Sequence, residues 1–320
     1  MTHDDRFERR LEELRREALA TGQIRAEGVR PGGAPLPETA SGYYGLPLLK
    51  APVWTWEVPA YFFVGGAAGA AAVIGAVANM TAHSPDLVRH ARWVAAAGAA
   101  LSPPLLISDL GRPDRFLNML RVFKLRSPMS VGAWTLVAFS NAAAAAAFAD
   151  LAERATGGRL PVRTLANAAE AVSAATGLVL STYTGVLIGA TAIPVWSHNV
   201  RILPVHFGAS GMGAAVSILE LMGHRERALN ALGIGAALVE TAIGVAIEGR
   251  RDPALDPLKH GVGGNITRLG GLLAGPVPLA LRLLAGRSPT ARRLAAVSTL
   301  TGSILTRLAW VRAGRTRIAD

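Results

Sequence analysis

Apolar residues in this chain come in long, nearly unbroken runs, and the polar residues collect between them. Eight runs stand out: about Pro59–Met80, Ala91–Ile107, Pro128–Ala149, Leu165–Ile188, Pro204–Met222, Ala228–Ile247, Ile266–Leu284 and Ala291–Val311. Each is long enough to cross roughly 30 Å of hydrocarbon as a helix, which takes about 17–25 residues. A soluble helix would show a polar face at helical spacing, and a membrane barrel would show strict alternation. Neither pattern runs through these segments. The expectation is an all-α integral membrane protein with eight transmembrane helices. The third and seventh runs carry the weakest signal, because alanine and glycine dominate them.

The first apolar run starts near residue 58, behind a charged tail, so no cleavable signal peptide is expected. The tail opens MTHDDRFERRLEELRREALA and sets Phe7, Leu11, Leu14 and Ala18 along one helical face. That reads as a short N-terminal amphipathic helix on the membrane or a partner, or as a solvated, partly frayed one. EGVRPGGAPLPETASG then reads as a linker, rich in Pro and Gly.

Composition agrees with the pattern: 51% of the residues are hydrophobic and only 17% charged, with a positive mean hydropathy. Lysine and arginine set the orientation. Thirteen fall in loops on the side where the first span begins, five of them in the 108–127 loop, and seven on the opposite side. The excess predicts a multi-pass protein of the inner (plasma) membrane with both termini in the cytoplasm. The net charge of +11 needs no nucleic acid, since anionic lipid headgroups and a protein partner account for it.

With no cysteine, the chain can hold no conventional iron–sulfur cluster and no disulfide. Its seven histidines, His3, His83, His90, His198, His206, His224 and His260, lie outside the spans or at their edges, so no haem is expected. Electrons reaching this chain would arrive from a partner and leave on a diffusible molecule. The polar residues, ordered by depth, gather at one face. Glu57 and Tyr61 begin the first span, and Asp109 and Arg112 follow the second. Tyr183 lies about five residues, roughly 7–8 Å, inside the end of the fourth, and His206 begins the fifth. Acid, phenol, imidazole and guanidinium at one membrane edge are costly unless paired or functional, which predicts one shared pocket.

Each residue also has a plainer reading. Tyr43, Tyr44, Trp54, Trp56 and Trp196 could form an interfacial aromatic belt. Glu57 could cap a helix, Asp109 could pair with Arg112 to fix a loop, and Tyr183 or His206 could satisfy a neighbouring helix. Glu220, Glu240 and Glu248 form a second set of acids. Glu240 lies deepest, as part of a proton route or as a protonated acid bonding across helices.

Three stretches, VWTWEVPAYFFVGGAAGAAA, LLISDLGRPDRFLNMLRVFKLRSPMSVGAW and YTGVLIGATAIPVW, resemble the polysulfide reductase membrane-subunit family, NrfD/PsrC. The similarity runs from about Gly42 to residue 250 and more weakly to the C-terminus. It implies two four-helix bundles, over residues 42–190 and 191–320, behind the tail and linker of residues 1–41. It implies a menaquinone or ubiquinone site near one membrane face, with Glu57, Tyr61, Asp109 and Tyr183 at the matching positions. It also implies an iron–sulfur partner subunit and a molybdopterin catalytic subunit. The charged tail departs from the compact members of the family, so its role is not inherited. An internal echo supports two related halves: Pro59, Tyr61, Phe62 and Gly66 align with Pro204, His206, Phe207 and Gly211.

The expected function is therefore that of a quinone-binding subunit of a respiratory oxidoreductase. Phenol and imidazole would bond the quinone oxygens while carboxylates relay protons from water. A secondary transporter with buried acids, or a purely structural membrane anchor, are the alternatives.

Overall fold

Helices account for nearly all of the described chain. In a computed structural model, residues 54–109, 113–157, 159, 162–285 and 288–315 are described, together with 12, 13 and 16, and no strand occurs among them. The order is α1 (Glu57–Met80), α2 (Pro85–Ser108), a 3-10 turn (Pro113–Leu120), α3 (Pro128–Ala155) and α4 (Arg163–Gly189). Then come α5 (Pro194–Ser197), α6 (Ile202–Leu221), α7 (Arg227–Gly249), α8 (Asp256–Lys259), α9 (Gly261–Ala274), α10 (Pro276–Ala285) and α11 (Pro289–Ala313). The face of Phe7, Leu11, Leu14 and Ala18, the linker, and Tyr43 and Tyr44 lie outside the described residues. Glu12, Glu13 and Arg16 are helical, and Arg16 pairs with Glu12 at 3.2 Å. Val53–Ile318 forms one compact unit.

Six helices, α1, α3, α4, α6, α7 and α11, are long and apolar enough to cross a membrane. Helices are the natural solution because hydrocarbon offers backbone groups no partner outside the segment. The second expected span, α2, has 24 residues but carries Arg92 near one end and Pro103 and Pro104 near the other. Pro103 has no N–H to give the Ala99 carbonyl, and the Ser140 hydroxyl of α3 donates to it instead, at 3.3 Å. The seventh expected span is broken. Gly275 separates α9 from α10, and Pro276 cannot continue the hydrogen-bond ladder. Ser298 of α11 donates to the Leu273 carbonyl at the break, at 2.7 Å.

Helix α1 is the centre of the packing, in contact with α2, α4, α6 and α11. Its small residues permit this. A Cβ on Gly69 would lie 2.3 Å from the Gly177 carbonyl of α4, and one on Gly211 of α6 would lie 2.8 Å from the Gly66 carbonyl. The echo seen in the sequence thus meets itself: Gly66 touches Gly211, and the rings of Phe62 and Phe207 are 5.9 Å apart. Equivalent positions facing each other are what a pseudo-symmetric pair of halves produces. Trp196, considered above as a belt residue, is wholly buried. It stacks on Trp54 at 5.2 Å and donates its indole N–H to the Trp310 carbonyl at 2.8 Å. Trp56 is exposed.

Replacing Gly69 with Leu drives a side chain into backbone rather than into a movable neighbour. The expected cost is about 1–3 kcal/mol, read as a lowered midpoint of thermal unfolding in detergent. Gly235→Ala, where a Cβ meets nothing within 4 Å, should leave the midpoint unchanged or raise it slightly.

Candidate functional site

Polar side-chain contacts sort the helix ends into two faces. On the face where α1 begins, the Thr55 N–H donates to Asp109 Oδ1 at 3.0 Å. The Thr55 hydroxyl lies between that same oxygen, at 3.0 Å, and Glu57 Oε2. The residue after α2 and the first residue of α1 are thereby held together at a solvent-accessible edge. Arg112 lies outside the described residues. One helical turn inward from Glu57, Tyr61 is buried, and no hydrogen bond to its hydroxyl occurs among the described residues. Tyr183 sits close enough for the two phenols to interact electrostatically. Its hydroxyl donates to the Pro128 carbonyl at 2.6 Å, and its ring lies over Gly132, where a Cβ would overlap it. Glu57, Asp109, Tyr61 and Tyr183 therefore share one end of the first four long helices.

His206 belongs to a different constellation. Trp310 Nε1 can only donate, and it donates to His206 Nδ1 at 3.2 Å. That leaves His206 Nε2 as the donor to Glu240 Oε2, at 3.0 Å. The second oxygen of Glu240, Oε1, is buried and has no hydrogen-bond partner among the described residues. Arg307 is near enough to Glu240 for their charges to interact. It is completely buried and donates to Ser210 Oγ at 2.7 Å, to the Ser303 carbonyl at 3.1 Å and to the Phe207 carbonyl at 3.3 Å. Its guanidinium also lies 5.4 Å from the centre of the Phe207 ring and 5.8 Å from that of Phe63. The single pocket expected from depth is thus two neighbouring groups, one of phenols and half-buried acids, the other of imidazole, buried acid and arginine.

The remaining acids separate as well. Glu248 is exposed and pairs with Arg268 at 2.8 Å, and Lys259 donates to the Glu248 and Arg250 carbonyls beside it. Glu220 lies at the opposite face, in a buried two-pronged pair with Arg282 at 2.7 and 2.9 Å. Asn230 accepts from the same guanidinium at 3.3 Å. A matching network closes the first half at that face. Arg92 reaches both oxygens of Glu170, at 3.0 and 2.9 Å, and also Asp150 at 3.2 Å, while Asn79 donates to Glu170 at 2.6 Å. His90 Nδ1 and His224 Nε2, 2.7 Å apart, join α2 to the segment after α6 there.

Sequence reasoning did not single out Arg92, Glu170, Arg282 or Arg307. Their signal is a charged residue within or at the edge of an apolar run, where an unpaired charge is expensive and a partner must exist. Which partner each finds depends on helix neighbours that no local pattern specifies. No group of three or more His, Asp or Glu able to hold a metal occurs among the described residues.

These features define a multi-pass helical membrane protein with polar sites inside its packing. The family model described as polysulfide reductase, of the NrfD type, matches residues 40–319. The chain belongs to that family, whose members are membrane subunits that usually work with redox partner subunits of respiratory oxidoreductases. No curated protein matches the sequence.

Arg282→Met leaves Glu220 buried without its two charged bonds, and should destabilise the protein by about 3–5 kcal/mol. Combining it with Glu220→Leu removes that carboxylate but leaves Arg292, 3.9 Å from Glu220 in the native protein, without an acid, so only part of the loss should be recovered. Unfolding midpoints of the three proteins in one detergent measure both effects.

Proposed function

We propose that this chain is the quinone-binding membrane subunit of a respiratory oxidoreductase, exchanging electrons between an iron–sulfur partner subunit and the quinone pool. The catalytic partner would be a molybdopterin enzyme, and menaquinone or ubiquinone the substrate. The chain would cross the inner (plasma) membrane eight times in two four-helix bundles, residues 42–190 and 191–320, with both termini in the cytoplasm. In this arrangement α2 and the broken pair α9–α10 supply the two spans beyond the six long apolar helices.

The observation that carries the reading is the layering at the start of α1. Two carboxylates, Glu57 and Asp109, meet water through Thr55, and two phenols, Tyr61 and Tyr183, lie behind them. Quinone reduction consumes two electrons and two protons. Electrons can tunnel from a partner, but protons need titratable groups beside the quinone oxygens. The Tyr61 hydroxyl, which makes no hydrogen bond among the described residues, is suited to bonding a carbonyl, whereas Tyr183 is already anchored on Pro128 and serves best by positioning. Glu57 and Asp109 are placed to take protons from the aqueous side. His206 and Glu240 form a separate buried pair, and Glu248 stands exposed at the end of the same helix as Glu240; together they would supply a route coupling the reaction to proton movement. Glu220 is held by Arg282 at the other face.

One observation favours a transporter instead. The break at Gly275 lies against Thr241, beside Glu240, and interrupted helices next to a buried acid are a feature of ion-coupled carriers. Family membership weighs toward the redox role.

Purified complex in lipid nanodiscs decides between them. Tyr61→Phe should lower quinone-linked turnover by about a hundredfold, the scale of lost acid–base assistance, with assembly and turnover on an artificial acceptor intact. Tyr183→Phe should lower it less. Unchanged quinone turnover in both variants would remove the phenols from the chemistry, and a fully assembled wild type without quinone turnover would leave transport or anchoring as the role.

A further inference from the structure

Where α1 ends and α4 begins, a groove of about 670 Å³ runs between the two helices. Small side chains make room for it, Ala76 on α1 and Ala171, Ala174 and Ala175 on α4. Val77 is 54% exposed and Leu178 58%, on helices long and apolar enough to span a membrane, so the groove opens sideways into the bilayer. Its lining changes in a fixed order with depth. Asn79, Arg163, Asn167 and Glu170 stand in the last turn of α1 or the first two turns of α4, and every lining residue deeper than these is alanine, valine or leucine. Arg163 and Leu178 are fifteen residues apart, about 22 Å along the helix. That is the depth of one leaflet with its headgroups, half of about 40–45 Å.

The polar groups at the mouth leave a cation and amides. Glu170 brings no free charge, because Arg92 holds both of its oxygens and Asn79 donates to one of them. Asn79 Nδ2 also donates to Asn167 Oδ1 at 3.1 Å, and Arg92 Nη2 donates to that oxygen at 3.3 Å. Asn167, which is exposed, keeps its amide N–H groups to give, and Asn79 keeps Oδ1 as an acceptor. Arg163 is exposed too and makes no hydrogen bond or ion pair among the described residues, so its whole guanidinium is available. A phosphate is the natural complement, an anion that only accepts hydrogen bonds, at the level where headgroups lie. A neutral ring has no charge to set against Arg163, and a packed protein helix would leave it unpaired unless an acid stood at the same depth.

We propose that this groove binds a phospholipid of the leaflet opposite the start of α1, with its phosphate on Arg163 and Asn167 and an acyl chain between α1 and α4. The Asn79 oxygen accepts from a hydroxyl or ammonium of the headgroup. The inference is independent of the proposed redox role and needs only that α1 and α4 span the membrane.

The test titrates the delipidated full chain in detergent with dioleoylphosphatidylglycerol, and separately with dioleoylglycerol, and counts bound molecules by native mass spectrometry. Dioleoylglycerol has the same tails and no phosphate. The wild type should bind one phosphatidylglycerol, about tenfold more tightly than dioleoylglycerol. Arg163→Gln should weaken phosphatidylglycerol binding about tenfold, the scale of one lost charge-assisted contact, and leave dioleoylglycerol binding unchanged. Ala175→Phe fills the groove and should weaken both; Ala175 is exposed, so the ring displaces no core. Unfolding midpoints without added lipid check that the variants fold, and Ala171→Phe, at another exposed lining position, repeats the test if Ala175→Phe does not. Phosphatidylglycerol binding that is unchanged in the Arg163 and groove-filling variants overturns the site. Equal binding of the two ligands, insensitive to Arg163→Gln, overturns the phosphate contact and leaves a groove that any hydrocarbon covers. A lipid-free wild-type dimer that Ala175→Phe converts to monomer assigns the groove to a second copy of the chain and overturns the lipid.

Discussion

Helix α1 lies against α4 through Gly69 and Gly177, and against α6 through Gly66 and Gly211, with backbone touching backbone. In lipid there is little hydrophobic gain in bringing helices together, so close van der Waals contact between small residues takes over that task. The closeness has consequences beyond adhesion. It brings the start of α1 beside the end of α4, so that Tyr61 and Tyr183 lie within electrostatic range of each other. It also brings α6 and α11 near enough to α1 for Arg307 to be enclosed between Phe63 and Phe207.

Buried charge follows a consistent division of labour. At the face away from the start of α1, an arginine clamps a glutamate twice, Arg92 with Glu170 and Arg282 with Glu220. Such pairs contribute little net stability, yet losing one partner is expensive, so they specify which helices are neighbours. Glu240 is different. It has a neutral imidazole on one oxygen and nothing on the other. An incompletely satisfied acid inside the packing is where ligand or proton chemistry finds a place.

The starts of α1 and α6 are alike in sequence and different in surroundings. Tyr61 corresponds to His206, and α1 presents phenols near half-buried acids where α6 presents an imidazole on a buried one. The unbroken α1, α3 and α4 contrast with the break at Gly275, which lies against Thr241, next to Glu240 in α7. The packed helices thus hold two distinct polar environments, one near the start of α1 and one deeper.

The amino-acid sequence by itself determined that the chain is helical, membrane-embedded and of the NrfD family. Apolar runs of span length, basic loops and the LLISDLGRPDRFLNML stretch are local properties that need no partner to be read. The echo around Gly66 and Gly211 was legible for the same reason. Which polar groups meet was not. His206 and Tyr61 begin their helices at the same face, and depth along a helix could not say that one turns to Glu240 and the other to Tyr183. Nor could hydropathy reveal that the run over 266–284 bends at Gly275, since a glycine followed by proline lowers the average only slightly. Lateral position depends on contacts between residues far apart in the chain, and only the packed helices decide it.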